Sequence, residues 1–73
     1  MGRLRILSGR EVLVILADNG FAELRRRGSH VVMQKPSGDS TVTVVVPDHK
    51  QVRIGTLASI IRQSQLPRHL FET

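Results

Sequence analysis

One short segment of the chain combines groups that can bind a phosphate with a group that can transfer a proton. It reads Arg25-Arg26-Arg27-Gly28-Ser29-His30. Histidine has an ordinary pKa of about 6.5, so His30 can give and take protons near neutrality. The arginines are permanently charged, the glycine lets backbone approach a ligand closely, and the serine can hydrogen-bond a phosphate. This segment is therefore the first place to look for catalysis.

Cleavage of RNA is a reaction that such a small set of groups can perform. RNA carries its own nucleophile, the 2′-hydroxyl, so its cleavage requires no serine, cysteine or metal-bound water from the protein. It requires proton transfer and positive charge around the scissile phosphate. A histidine beside arginines meets both requirements, and a ribonuclease is one function that these residues permit.

Structural roles also account for the same residues, and the residue types alone do not decide between the two interpretations. Three arginines can protect an edge strand against aggregation, and a histidine at the start of a strand is commonly a surface residue. His49 could assist as acid or base, but its Pro-Asp-His-Lys segment is also a turn. His69 lies in a C-terminal segment that we expect to fray. Glu11 is explained by helix capping.

The composition restricts both the partners and the chemistry. The 73 residues include eleven Lys or Arg, six Asp or Glu and no Cys, and the net charge of +5 favours a nucleic-acid partner. Without Cys there is no disulfide or thiolate, and three scattered histidines offer no metal-ligand spacing, so we expect no metal and no cofactor. The longest apolar run has six residues, Val12 to Ala17, so we expect a soluble cytoplasmic protein that does not enter a membrane.

The elements that must position these residues are predicted in the order helix, three strands, helix. Ser8 and Glu11 have the spacing of a capping box, Thr56 is a candidate cap for the second helix, and Pro67 could open a final turn through Phe71. The predicted helices span 9–19 and 56 to about 64–66, and the predicted strands span 21–27, 30–35 and 41–46. The strand connections are too short for crossovers, so we predict a three-stranded antiparallel sheet with both helices on one face.

The other face of this sheet must then be open to solvent or to a ligand. The alternation of side chains along a strand directs one set of residues toward the helices: Val31, Met33, Val42, Val44 and Val46. It directs a second set toward the open face: His30, Val32, Gln34, Thr41, Thr43 and Val45. The facing of the first strand stays open, because Phe21 and Leu24 have opposite parity. With almost no aromatic residue on the open face, we do not expect a base-stacking platform.

Several short segments, taken in order, closely resemble the HicA (YcfA-like) toxin family. They are Ser8-Gly9-Arg10-Glu11, Asn19-Gly20-Phe21, Arg27-Gly28-Ser29-His30, Val46-Pro47-Asp48-His49, and Gly55-Thr56-Leu57 with Ile60-Ile61-Arg62-Gln63. The resemblance spans about 7–66, which we take as the core of a single domain, 1–73, with a short tail at 67–73. It implies a double-stranded-RNA-binding-domain-like α-β-β-β-α fold of the α+β class. The implied function is that of an mRNA interferase of a type II toxin–antitoxin system, neutralised by a HicB antitoxin that covers the active site.

The same resemblance implies specific roles for residues of this chain. The family's catalytic histidine follows a Gly-Ser pair on the second strand, which corresponds to His30. We therefore predict a metal-independent toxin endoribonuclease in which His30 transfers protons as base or acid. The residues that we predict to bind the RNA are Arg26, Arg27, Gly28, Ser29, Lys35, Lys50 and Arg53.

The sequence departs from the family pattern in one place and from duplex-binding domains in another. Many relatives have two basic residues before the Gly-Thr of the second helix. This chain has Arg53-Ile54 at that place, which is one positive charge fewer. The second helix also lacks the lysine cluster of duplex-binding domains, so we expect a single-stranded mRNA substrate.

The main alternative is a non-catalytic basic module of the same fold that binds RNA or a protein. A purely structural partner subunit is the third reading.

Overall fold

The computed structural model describes residues 2–73, and its elements follow in the predicted order. Met1, the start of the predicted domain, lies outside the described residues. The elements are α1 (Gly9–Asp18), β1 (Ala22–Arg27), β2 (His30–Ser37), β3 (Ser40–Pro47), α2 (Ile54–Ser64) and a closing 3-10 helix (Arg68–Phe71). The strands form one antiparallel sheet in the order β1-β2-β3. The predicted α-β-β-β-α fold of double-stranded-RNA-binding type is confirmed.

Helix α1 begins at the predicted capping box. The backbone N–H of Ser8 donates to Oε1 of Glu11 at 2.8 Å, and the backbone N–H of Glu11 donates to Oγ of Ser8 at 3.1 Å. Hydrogen bonding of the ionised carboxylate to Ser8, first by the backbone N–H and then by the side chain, together with the charge of Arg5, holds the pKa of Glu11 below its ordinary value of 4.5. The carboxylate of Glu11 therefore has a structural task, as its spacing from Ser8 predicts.

Two tight hairpins connect the three strands. Gly28 and Gly38 each occupy the first central position of a two-residue turn with a positive φ, +58° and +60°, which a type II′ turn requires. The first hairpin pairs Arg27 with His30, and the second pairs Ser37 with Ser40. Because the second turn contains only Gly38 and Asp39, strands β2 and β3 extend further toward it than predicted.

The predicted faces of β2 and β3 are also confirmed. Val31, Met33, Val44 and Val46 are buried against the helices, while His30, Thr43 and Val45 are exposed on the open face. The core is completed from both helices and from the segments that flank the elements, by Leu7, Val12, Leu16, Phe21, Val52, Leu57, Ile60, Ile61 and Phe71. Both helices therefore lie on one face, and the face that carries His30 is left free.

The start of helix α2 differs from the prediction. Arg53, not Thr56, is the N-cap residue, and the structure gives it no side-chain capping bond. The chain reaches this point already anchored, because the side chain of Val52 is buried and its N–H donates to the carbonyl of Leu7 at 2.7 Å. With that anchor in place the backbone becomes helical at Ile54, and Thr56 lies inside the first turn.

The C-terminal segment is not the frayed tail that we expected. Phe71 is fully buried, and its carbonyl accepts a hydrogen bond from the N–H of Arg5 at 2.8 Å. The N–H of Thr73 donates to the carbonyl of Arg3 at 2.9 Å, and Leu4 forms an antiparallel bridge with Glu72. Burial of a large aromatic side chain outweighs the weak helical propensity of this segment, and residues 71–73 pair with residues 3–5.

Candidate active site

The candidate catalytic histidine stands where the sheet meets the loop before α2. His30 is the first residue of β2, is paired with Arg27 on β1 and with Pro47 on β3, and has an exposed side chain. The loop from Asp48 to Arg53 leaves the sheet at this end. His30 is therefore placed by the first hairpin turn and by the end of β3.

An open cleft of about 420 Å³ is found at this position. Its lining residues are His30, Val45, Pro47, His49, Gln51, Val52, Arg53 and Thr56. The first turn of α2 contributes Thr56, and the N–H groups of a first helical turn have no partner within their helix. Together with the positive end of the helix dipole and the guanidinium of Arg53, they favour an anion in this cleft.

A second histidine lines the same cleft from the loop. The Nε2 atom of His49 lies 3.3 Å from Oγ of Ser29, the residue immediately before His30. The sequence allows two roles for His49, an assisting acid or base and a turn residue. Its backbone lies in the loop after β3, which agrees with the turn, and its ring lies at the candidate site, which agrees with the catalytic role.

Backbone hydrogen bonds fasten this loop to the rest of the site. The N–H of Asp48 donates to the carbonyl of Ser29 at 2.6 Å, which joins the loop to the first hairpin turn. The N–H of Gly9 donates to the carbonyl of His49 at 2.8 Å, which joins the loop to the start of α1. The position of His49 is thus set by two elements that are far from it in the sequence.

Arg26 is held on the other face of the sheet from His30. Its register partner is the buried Val31, and its Nη1 atom donates to Oδ2 of Asp48 at 2.8 Å. A longer contact of 4.0 Å joins it to Glu23. The hydrogen bond to Asp48 raises the pKa of the guanidinium, which is permanently charged in any case. The structure therefore connects Arg26 to the loop and does not bring it to the face of His30.

The other two arginines of the run share the face of His30. Arg27 is the register partner of His30, and Arg25 is the partner of Val32, which also faces outward. Sequence reasoning did not select Arg25. The signal that could have found it is the two-residue Gly28-Ser29 turn, because this turn pairs residues 27 and 30 and so fixes which arginines lie on their face.

The two lysines selected from the sequence lie away from the cleft. Lys35 is on the helix side of β2, and its ammonium lies 5.8 Å from the centre of the Phe21 ring, in a cation–π contact. Lys50 is exposed next to His49 but is not one of the cleft-lining residues. Of the predicted binding residues, Arg27, Gly28, Ser29 and Arg53 are the ones brought close to His30.

Within residues 2–73, no three His, Asp or Glu side chains come together as they would around a metal ion. Over the same range, neither helix has the length and apolar character needed to cross a membrane.

Comparison with known proteins identifies the family. The family model described as the HicA toxin of bacterial toxin–antitoxin systems matches residues 9–66, from the first residue of α1 to just beyond the end of α2. The matched range contains His30, His49 and every residue that lines the cleft. No curated protein matches the chain significantly. A family model that covers most of the chain shows its membership, and the chain belongs to the HicA toxin family of bacterial toxin–antitoxin systems.

Proposed function

We propose that this toxin is an endoribonuclease that cleaves single-stranded mRNA in the cytoplasm, without a metal, by acid–base chemistry at His30. The observation that carries the proposal is the placement of His30 in an open cleft between two sources of positive charge. Arg27 lies opposite it on β1, and Arg53 lines the cleft at the start of α2. Membership of a family of mRNA-cleaving toxins supports the same conclusion.

The proposed reaction uses the 2′-hydroxyl of the substrate as the nucleophile. A base removes the proton of this hydroxyl, the 2′-oxygen attacks the adjacent phosphorus, and the bond to the 5′-oxygen breaks. An acid gives a proton to that leaving oxygen. His30 performs one of these transfers, and the guanidinium groups stabilise the charge that develops on the phosphate oxygens.

The binding residues take different parts in this proposal. Arg27 and Arg53 contact the phosphate at the site of cleavage, and Arg25 continues the same face toward the next nucleotide. The turn residues Gly28 and Ser29 let the RNA backbone approach closely, and Lys50 adds charge beside the cleft. Lys35 contacts only RNA that passes round the edge of the sheet, and Arg26 acts indirectly, through Asp48.

A family of toxin–antitoxin systems implies an antitoxin partner. We propose that it is a HicB-like protein that covers the cleft and blocks the access of RNA. Val45 lines the cleft with 45% of its surface exposed, and Ile54, next to the cleft-lining Arg53, is 51% exposed. Exposed apolar side chains beside a functional cleft are groups that a protein partner can bury. Release from this partner would free the toxin to cleave mRNA and stop translation and growth.

The proposal is tested by incubating the purified protein with an mRNA in the presence of EDTA. Wild type is expected to cleave, and His30→Ala is expected to lose cleavage while it keeps the wild-type melting temperature. His69→Ala is the matched control, because His69 is exposed on the closing 3-10 helix, outside the cleft. Cleavage by His30→Ala at the wild-type rate, or loss of wild-type cleavage in EDTA, would contradict the proposal.

The basic character of the open face favours one alternative, a module that binds RNA without cutting it. Arg25, Arg27 and Arg53 would suffice for this activity, and His30 would not be needed. Under this alternative, wild type binds RNA at low salt and leaves it intact, and His30→Ala binds equally well. The same incubation therefore separates the two functions.

A further inference from the structure

We propose that His49 is the second proton-transfer group of this site, so that His30 and His49 act as a complementary base and acid. The inference rests on the proposed ribonuclease function and adds a residue to it. RNA transesterification contains two proton transfers, one from the 2′-hydroxyl and one to the 5′-oxygen, and a single imidazole cannot be in both protonation states at once.

The two histidines reach the same cleft from different elements. His30 comes from the start of β2, and His49 comes from the loop that follows β3. Both residues are exposed, so both are open to a ligand that enters the cleft. Ser29 connects them, since it precedes His30 in the chain and its Oγ lies 3.3 Å from Nε2 of His49.

The backbone of His49 is held by the fold, and its imidazole makes one hydrogen bond, to Oγ of Ser29. The carbonyl of His49 accepts from the N–H of Gly9, and its N–H donates to the carbonyl of Pro47 at 2.9 Å. A Cβ at position 9 would collide with the carbonyl oxygen of Pro47 and lie 2.9 Å from the nitrogen of His49. The loop is thus packed closely against α1. These backbone bonds do not require an imidazole at position 49, and the one hydrogen bond of the ring is to Ser29, the residue before His30.

Neither imidazole is committed to a structural ion pair. Within the described range 2–73, the ion pairs are those of Arg26 with Asp48 and Glu23 and of Arg68 with Glu72. The carboxylate of Asp48, next to His49 in the chain, is thus engaged by Arg26. The loop itself carries Asp48, Lys50 and Arg53. The other charged or titratable residues on the elements around it are Arg10, Glu11 and Asp18 on α1, Glu23, Arg25, Arg26 and Arg27 on β1, His30 and Lys35 on β2, and Arg62 on α2.

The step balances without any further reactant. One neutral imidazole takes the proton of the 2′-hydroxyl as the bond from the 2′-oxygen to phosphorus forms. The other, protonated imidazole gives its proton to the 5′-oxygen as the bond from phosphorus to that oxygen breaks. The products are a 2′,3′-cyclic phosphate and a 5′-hydroxyl, and exchange with water restores both rings.

The first test compares the pH dependence of kcat/KM for wild type and His49→Gln. Glutamine can still hydrogen-bond Oγ of Ser29 but cannot transfer a proton, so the variant separates proton transfer from positioning. Wild type is expected to give a bell-shaped profile. His49→Gln is expected to lose roughly 10²- to 10⁴-fold in rate and one limb of the bell. His69→Gln is the control and is expected to keep the wild-type rate and profile.

The second test uses an RNA with sulfur in place of the 5′-oxygen at the mapped cleavage site. A thiolate leaves without protonation, so loss of the acid is rescued by this substrate and loss of the base is not. Under the proposed pair, the substrate rescues one of His30→Ala and His49→Ala and fails to rescue the other. Rescue of both variants, or of neither, would overturn the assignment.

The outcomes distinguish this inference from the function on which it rests. If wild type cleaves RNA, His30→Ala does not, and His49→Gln keeps the wild-type rate and profile, then His49 has no catalytic part and the ribonuclease proposal stands. If wild type cleaves no RNA, the ribonuclease proposal fails and takes this inference with it. A normal melting temperature for His49→Gln ensures that a lost limb reflects chemistry rather than unfolding.

Discussion

Three adjacent arginines have two different tasks, because successive side chains of a strand point to opposite faces. Arg25 and Arg27 share the open face with His30, whereas Arg26 bonds Asp48 on the helix side. The run of arginines is evident in the sequence, but the strand register decides which of them lie on which face. The length of the Gly28-Ser29 turn sets that register, so the facing of the arginines could be read from the sequence. The bond from Arg26 to Asp48, 22 residues apart, could not be predicted, because it requires the relative placement of two elements.

Because Arg26 and Arg27 lie on opposite faces of the sheet, removing one charge at each position is expected to change RNA binding differently. Arg27→Gln is expected to weaken RNA binding and to flatten the dependence of log K on log[salt] by about 0.7, the value for one phosphate contact on a single strand. Arg26→Gln is expected to keep the wild-type salt dependence and to lower the melting temperature slightly, because it breaks the bond to Asp48. Filter binding at several salt concentrations measures both. Equal salt slopes for the two variants would contradict the facing derived from the register.

At the scale of the elements, the candidate site is assembled where three connections meet. The first hairpin turn supplies Ser29, the loop after β3 supplies His49, and the start of α1 supports that loop through Gly9. The strand alternation of β2 and β3 and the capping box of α1 were predictable, since each depends on residues close together in the chain. The N-cap residue of α2 was not predictable from nearby residues. The helix begins just after Val52, which is buried and hydrogen-bonded to the distant Leu7.

The tight packing of Gly9 leads to a prediction at this scale. Gly9→Ala is expected to destabilise the protein by about 1–3 kcal/mol, the range for overpacking, and to lower the rate of RNA cleavage by displacing the loop that carries His49. Gly55→Ala is the matched control for stability. No heavy atom lies within 4 Å of the Cβ that it adds, and alanine favours the helix by about 0.5–1 kcal/mol.

Urea unfolding of both variants measures the change in stability, and cleavage of a fixed RNA measures the effect on the site. A stability of Gly9→Ala equal to that of wild type would show that the loop tolerates the added methyl group. The loop would then not be seated against α1 as the structure describes.

At the scale of the whole molecule, the sheet separates stability from function. Among residues 2–73, thirteen apolar side chains from the strands, the helices and their flanking segments are buried on one face, and the other face presents His30, Arg25 and Arg27 to solvent. The fold class was predictable because the order of elements and the short connections leave few topologies. The packing of the C-terminal segment was not predictable, because Leu70 and Phe71 lie in a mostly polar segment and the burial of Phe71 accompanies a pairing of Leu4 with Glu72, 68 positions apart.

The most direct test of cleavage through the substrate's own hydroxyl replaces a single 2′-hydroxyl of the RNA by hydrogen. An RNA is cleaved by the wild-type protein in EDTA, its cleavage site is mapped, and the same RNA is made with one 2′-deoxynucleotide on the 5′ side of that linkage. This linkage is expected to survive, and the unmodified RNA is expected to give 5′-hydroxyl and cyclic or 3′-phosphate ends. Continued cleavage at the deoxy linkage, with 5′-phosphate ends, would contradict a reaction in which the 2′-hydroxyl of the substrate is the nucleophile.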